Sequence, residues 1–251
     1  MTTWVSAKLT HIKHWTEKLF SINVEAPIDK FIAGQFTKIA IKDKNGNRLI
    51  QRAYSYVNAP HDNNLEFYLV LVKDGILSPY LHGLRIGDKF LIAKEACGFF
   101  ILNEIAPCKI LWMLATGTAI GPYLSMLQEG KNLDKFEYIV LVHAVRYVQD
   151  LCYLSVMHKL QERYNNKLFI QTITSREKRK ETIFGRIPQL IENGSLEKRV
   201  NFEINSNTSH IMLCGNPNMV RDTKDFLIKN KNMLKKSFKG LKGNITTEHY
   251  W

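Results

Sequence analysis

Between residues 36 and 93 the apolar positions come in short runs separated by turn residues. Residues 36–41, 65–72 and 89–93 read as β-strands. Asp43-Lys44-Asn45-Gly46-Asn47 follows the first of them and is a hairpin signal, because Asn-Gly accepts the positive φ angles of a tight turn. Residues 77–84 give this half its only helical pattern, and it is short. From Lys109 onward the rhythm changes. Residues 110–115, 138–145, 167–174 and 209–214 are runs rich in Ile, Leu and Val, as expected of strands buried on both faces. Helical segments lie between or after them, at 120–128, 150–164, 187–191 and 217–229. Pro217 suits the first turn of the last one, where its missing N–H is not needed.

The pattern predicts two domains: an antiparallel β-barrel over residues 1–103, and an α/β domain with a parallel sheet over residues 104–251. The alternation in the second half is that of a nucleotide-binding architecture. The join lies near 104–107.

Composition narrows the choice. Of 251 residues, 45% are apolar or aromatic and 23% charged, which excludes a disordered or fibrous chain. Cys97, Cys108, Cys152 and Cys214 form no CxxC pair, which argues against a zinc ribbon, an iron–sulfur domain or a disulfide scaffold and fits a reducing cytosol. Residues 1–6 lack the basic start and apolar run of a signal peptide, so a cytoplasmic location is expected. Residues 110–128 carry no charge and imitate a membrane span. Gly117, Gly121 and Pro122 near the middle make them read instead as strand, glycine turn and helix.

The formal net charge is +12, from 35 Lys and Arg against 23 Asp and Glu. Such a bias points to anionic partners, whether nucleic acid, acidic protein or a phosphate-bearing cofactor. A basic nucleic-acid-binding protein is the non-enzymatic alternative, but the basic residues are not interleaved with aromatics in a recognisable nucleic-acid module, so no nucleic-acid partner is expected. No HExxH occurs, and the spacing of His11 and His14 puts them on opposite faces of a strand; no metal site is expected.

Four constellations carry candidate chemistry. Thr116-Gly117-Thr118-Ala119-Ile120-Gly121-Pro122 leaves a strand and opens a helix, where small residues allow close backbone approach and helix-start N–H groups attract a pyrophosphate. A turn that merely packs helix against sheet has the same pattern. Arg146, Arg176 and Arg186 lie near strand ends, where a dinucleotide fold reads the ribose or its 2′-phosphate. Arg52-Ala53-Tyr54-Ser55-Tyr56 places an arginine, aromatic rings and a hydroxyl on one strand, which suits a ligand with a phosphate and a flat ring; a cross-strand aromatic cluster is the other reading. The end of the chain, Glu248-His249-Tyr250-Trp251, carries two large aromatics that would dock on something flat and apolar.

Taken in order, Arg52-Ala53-Tyr54-Ser55, Gly75-Ile76-Leu77-Ser78, Thr116 to Pro122, Cys214-Gly215-Asn216-Pro217 and the Tyr-Trp end resemble the ferredoxin–NADP(H) reductases over the whole chain. The resemblance is nearest to the bacterial flavodoxin/ferredoxin type. It implies an FAD-binding barrel followed by an NADP(H)-binding α/β domain, in an enzyme moving hydride between NADP(H) and flavin and single electrons between flavin and flavodoxin or a [2Fe-2S] ferredoxin. A free-flavin reductase or an oxygenase reductase component is the alternative within the same class. Position by position, it implies FAD contacts from Arg52, Ala53, Tyr54, Ser55, Tyr68, Leu69, Val70, Gly75, Leu77, Ser78, Thr118, Tyr250 and Trp251. It implies NADP contacts from Thr116, Gly117, Arg146, Ser175, Arg176, Arg186 and Asp222. Ser55, Cys214 and Glu248 take the catalytic positions, although Cys214 also reads as a small buried residue ending a strand. A monomer is expected, with lysines in residues 229–242 drawing the acidic carrier.

Overall fold

The computed structural model describes residues 2–43, 46, 48–235 and 243–250. Two compact units emerge. One comprises residues 1–102 with 121–130, the other residues 103–120 with 131–251. The division read from the sequence at 103/104 is a single cut, whereas the chain passes between the units at three points.

The first unit is built on six antiparallel strands, β1 (Trp4–His14), β2 (Leu19–Glu25), β3 (Phe36–Lys42), β4 (Leu49–Ser55), β5 (Leu65–Val70) and β6 (Lys89–Ala93), in the order β4-β3-β6-β1-β2-β5. A bridge between Tyr56 and Phe67, with Val57 N–H donating to Glu66 O at 2.9 Å, joins the two outer strands and curls the sheet into a barrel. Alternation sends Phe20, Ile22, Ile39, Phe67, Leu69 and Ile92 into a buried interior. Tyr56 goes there too, stacked on Phe31 with ring centroids 3.9 Å apart, so it serves the core while Arg52 stays exposed. The β3–β4 hairpin forms in the register Lys42↔Leu49, with Gly46 at φ +72°. Lys44, Asn45 and Asn47 of its predicted turn lie outside the described residues. A six-residue helix, α1 (Leu77–His82), follows β5 and packs against β4.

The second unit contains β7 (Cys108–Thr116), β8 (Phe136–Val145), α3 (Leu154–Tyr164), β9 (Leu168–Thr174), β10 (Ile183–Phe184), α4 (Ile187–Glu192), α5 (Ser195–Val200), β11 (Ser209–Gly215), α6 (Pro217–Lys231) and β12 (Ile245–His249). Its strands are parallel, in the order β10-β9-β8-β7-β11-β12. Leu111 to Ala115 have no exposed surface, as a central strand covered on both faces requires. From β7 the chain builds outward through β8, β9 and β10, then returns to the other side of β7 for β11 and β12. Such a reversal opens a crevice beyond the carboxyl ends of the two strands that flank it, here β7 and its neighbour.

Residues 110–128 end β7, make one 3₁₀ turn at Gly117–Ile120 and begin α2 (Gly121–Glu129). This helix belongs to the barrel unit. Ser125 Oγ donates to Asn58 O at 2.6 Å and Gln128 Nε2 to Val57 O at 2.7 Å. Gly34, at φ +98°, lies so close to Phe100 O and Met126 that a Cβ there would collide with both. Among the described residues no helix is long and apolar enough to cross a membrane.

Candidate functional site

Two sets of side chains carry the candidate chemistry, one in each unit. In the barrel, β4 lies at the end of the strand order beside β3, pairing Ser55 with Phe36 and Tyr54 with Thr37. Arg52 projects into solvent, its Nη1 donating to the Gln51 carbonyl at 2.7 Å, and among the described residues no carboxylate pairs with it. Ala53 beside it is exposed, Tyr54 is half-buried and Ser55 is buried. Burial pushes the Tyr54 phenol up to about 12, against the pull of the Arg52 charge, so it stays neutral.

The predicted segment after β5 divides between core and surface. Leu69 and Leu77 point into the barrel interior, so any ligand contact they make runs through their backbones. Tyr68 is buried and Val70 half-buried. Gly75 N–H donates to Val72 O at 2.9 Å, closing a tight turn that a Cβ on Gly75 would crowd. Ser78 Oγ accepts the Val72 N–H at 3.0 Å, which leaves its own proton to give. This donor set, a guanidinium and a hydroxyl beside a half-buried ring, fits a pyrophosphate joined to a flat heterocycle.

In the second unit the carboxyl ends of the strands carry most of the remaining candidates. Gly117, at φ +57°, turns the chain after β7, with open space where a Cβ would stand. Its carbonyl is held by His143 on β8, Nε2 to O at 2.9 Å. A carbonyl can only accept, so Nε2 carries the proton, and among the described residues Nδ1, buried, has no partner. Complete burial pulls this imidazole down to about 4, the Gly117 bond only partly opposing it. Thr118 is buried within the turn. Thr116 Oγ1 accepts the Asn216 N–H at 2.9 Å, and Gly215, at φ +129°, passes so near that a Cβ would overlap that oxygen. Asn216 in turn caps α6, its side chain accepting from the N–H groups of Asn218 and Met219.

Cys214, next to the last residue of β11, stands directly opposite Glu248 on β12, Sγ to Oε1 3.9 Å. The thiol is pushed well above its ordinary range, first by burial and then by the Glu248 charge, and so stays protonated. Glu248 is raised to about 7, by burial, against the Cys214 hydrogen bond that favours its charged form. Tyr250 N–H donates to Gly215 O at 3.0 Å, extending the pairing one residue past β12. Trp251 lies outside the described residues.

Arg146, Arg176 and Arg186 follow β8, β9 and β10, three adjacent parallel strands, and all three are exposed. Among the described residues no carboxylate pairs with any of them. The backbone fixes their spacing: Arg176 N–H donates to Arg146 O, Ser175 N–H to Val145 O and Gly185 N–H to Thr174 O, each at 3.0 Å. Asp222 sits apart from them on α6 and pairs with its neighbour Arg221 at 3.0 Å. Sequence reasoning did not single out His143, gave Asn216 no capping role, and named Cys214 and Glu248 without their pairing across the sheet. The available signal for His143 was a ring nitrogen inside an otherwise apolar run.

Two family models match successive stretches of the chain. Residues 7–98 match the oxidoreductase FAD-binding domain and residues 113–225 the oxidoreductase NAD-binding domain. The fold and site thus define a two-domain flavin and nicotinamide-nucleotide oxidoreductase. Over its full 251 residues the chain is 56% identical to the flavodoxin/ferredoxin–NADP reductase of Buchnera aphidicola subsp. Baizongia pistaciae and 53% identical to that of Escherichia coli K12, covering all of each. A crystal structure of a ferredoxin NADP+ reductase from Neisseria gonorrhoeae with bound FAD and NADP superposes with a TM-score of 0.92 at 30% identity, covering 99% of both chains. The chain belongs to the flavodoxin/ferredoxin–NADP reductase family.

Proposed function

We infer that the chain is an FAD-dependent oxidoreductase selective for NADP(H), which exchanges single electrons with a small acidic carrier, a flavodoxin or a [2Fe-2S] ferredoxin. The observation that carries the nucleotide preference is the set of three uncompensated arginines ending β8, β9 and β10. A 2′-phosphate recruits them all; NAD(H), lacking it, recruits none. Bound FAD supplies the exchange between a two-electron hydride and single electrons.

The chain's own residues bind, orient and protonate. Arg52 and the Ser78 hydroxyl hold the FAD pyrophosphate, the Gly75 turn lets the backbone approach it, and Tyr54 stacks on the flavin ring. Ala53, Tyr68, Val70 and the backbones of Leu69 and Leu77 complete the cradle. Ser55 gives a hydrogen bond near flavin N5, and Tyr250 covers an exposed ring face. Thr116 and Gly117 admit the nicotinamide nucleotide at the end of β7, with Thr118 on the flavin side, Ser175 beside the arginines and Asp222 near the outer edge of the nucleotide's path. Cys214, neutral and buried, orients the nicotinamide. Glu248, raised to about 7, holds or releases a proton at its carboxylate near neutrality.

The enzyme acts as a cytoplasmic monomer, and the net charge of +12 draws the acidic carrier to it. The test is an anaerobic visible spectrum of the purified protein before and after one equivalent of NADPH, then of NADH. Flavin absorbance bleached promptly by NADPH alone is the expected result. A colourless protein that takes up no FAD, or equal bleaching by both nucleotides, overturns the reading. Turnover of free flavin far exceeding that of any carrier protein transfers the assignment to a free-flavin reductase.

A further inference from the structure

The arginines have a carboxylate for a neighbour. Glu177 follows Arg176 directly in the chain, so its carboxylate is a candidate to oppose an incoming 2′-phosphate or to pair with Arg146 or Arg176. It does neither. One carboxylate oxygen, Oε2, accepts the Val148 N–H at 2.9 Å, and the other, Oε1, accepts from Arg179 Nε at 2.6 Å, with Arg179 Nη2 at 2.5 Å. Both oxygens are committed, and the bonds keep Glu177 firmly ionised, the Val148 N–H most of all.

These bonds also set geometry. The loop after β8 is tied to the loop after β9 by the backbone bonds Ser175 to Val145 and Arg176 to Arg146, and Ser175 Oγ adds a donation to Val145 O at 3.3 Å. Glu177 extends that zipper two residues further, to Val148. Asp150 closes the loop locally by accepting the Tyr147 N–H at 3.2 Å. The stretch bearing Arg146 is therefore pinned at both ends.

We propose that Glu177 and Arg179 are specificity-determining positioning residues for NADP(H). Glu177 locks the β8 and β9 loops so that Arg146 and Arg176 stand side by side, and Arg179 occupies the Glu177 carboxylate so that it cannot neutralise them. Arg179 contributes to 2′-phosphate recognition without touching the phosphate. This rests on the reading that Arg146 and Arg176 bind the 2′-phosphate.

The experiment compares dissociation constants for 2′-AMP and AMP, and KM for NADPH and NADH, in the FAD-loaded protein carrying Arg179→Ala, Glu177→Gln, the double substitution, and Glu177→Ala. Arg179→Ala frees the carboxylate and weakens 2′-AMP by roughly fivefold, the upper end for an exposed charge pair, leaving AMP unchanged. Adding Glu177→Gln removes the freed charge, keeps an acceptor for Val148 N–H, and restores 2′-AMP binding to the level of Glu177→Gln alone. Glu177→Ala, which abolishes the acceptor, raises KM for NADPH more than for NADH. If the double variant stays as weak as Arg179→Ala, Arg179 touches the phosphate itself and the proposal fails; it also fails if Arg179→Ala has no effect. Failure of the underlying reading looks different: Arg146→Ala with Arg176→Ala would then leave the ratio of 2′-AMP to AMP affinity unaltered.

Discussion

Two ionisable groups on parallel strands, His143 buried and Glu248 half-buried, should make stability respond to pH in opposite directions. His143 falls from its ordinary 6.5 to about 4 on folding. As pH drops below 6.5 the unfolded chain takes up a proton that the folded chain refuses, so stability is lost down to about pH 4. At about 1.4 kcal/mol per pH unit the full loss is about 3 kcal/mol, most of it reached by pH 4.5. Glu248 rises from its ordinary 4.5 to about 7, so the folded chain binds the extra proton and stability is gained as pH falls through 7. That gain is of the same order, reduced somewhat because the strand leaves Glu248 partly solvated. Over pH 7 to 4.5 the two contributions nearly cancel in the native protein, and only variants expose them. Urea unfolding of the FAD-loaded protein, followed by tryptophan fluorescence at pH 7.5, 6 and 4.5, measures each. Relative to the native protein, His143→Phe should become more acid-tolerant by about 2 to 3 kcal/mol across this range. Glu248→Gln should become more acid-sensitive by a similar or smaller amount. Curves for the His143→Phe protein that run parallel to the native ones would refute the reasoning, as would an imidazole that titrates near 6.5 by NMR.

Other outcomes follow from single features of the two units. Replacing Arg146 and Arg176 together by alanine should raise KM for NADPH by roughly tenfold or more, the loss of one or two charge-assisted bonds, and leave NADH nearly untouched in steady-state assays. Cys214→Ala should slow hydride transfer in stopped flow more than it weakens NADPH binding; an unchanged rate would assign Cys214 to packing alone. Gly215→Ala, which forces a Cβ onto Thr116 Oγ1 at φ +129°, should cost about 1 to 3 kcal/mol and lower Tm by calorimetry. Electron transfer to an acidic carrier should slow as salt rises, and a flat response would remove the electrostatic account.

The parts of the molecule that sequence reasoning reached are those where structure is local. β7, the Gly117 turn and α2 are contiguous, and the buried strands announce themselves by unbroken Ile, Leu and Val. Arg146 and Arg176 were placed for the same reason, each just past a strand that the pattern marks, whereas the two-residue β10 leaves no pattern to mark a strand before Arg186. β1 and β2 were harder: a bulge between Leu9 and His11 shifts the register and breaks the alternation that would mark the strand. β12 is an edge strand whose sequence, Ile-Thr-Thr-Glu-His, has one apolar residue, so only its pairing with β11 reveals it and gives Glu248 its place opposite Cys214. His143 and Gly117 are 26 residues apart, and no local pattern joins them. Leu69 and Leu77 lie where the family pattern puts cofactor contacts, yet their side chains are spent on the barrel core.

The assignment of α2 to the barrel unit bears on how the protein is made. When residue 102 leaves the ribosome all six barrel strands have emerged, but the barrel still lacks a wall: the carbonyls of Val57 and Asn58 wait for Gln128 and Ser125, and the groove beside Gly34 waits for Met126. By the time that helix arrives, the apolar strand β7 is already out, with β8 and β11 still unmade. Synthesis therefore passes through a stage in which a finished barrel holds one exposed, aggregation-prone strand from the next unit on a short leash, anchored at both ends until its neighbours arrive.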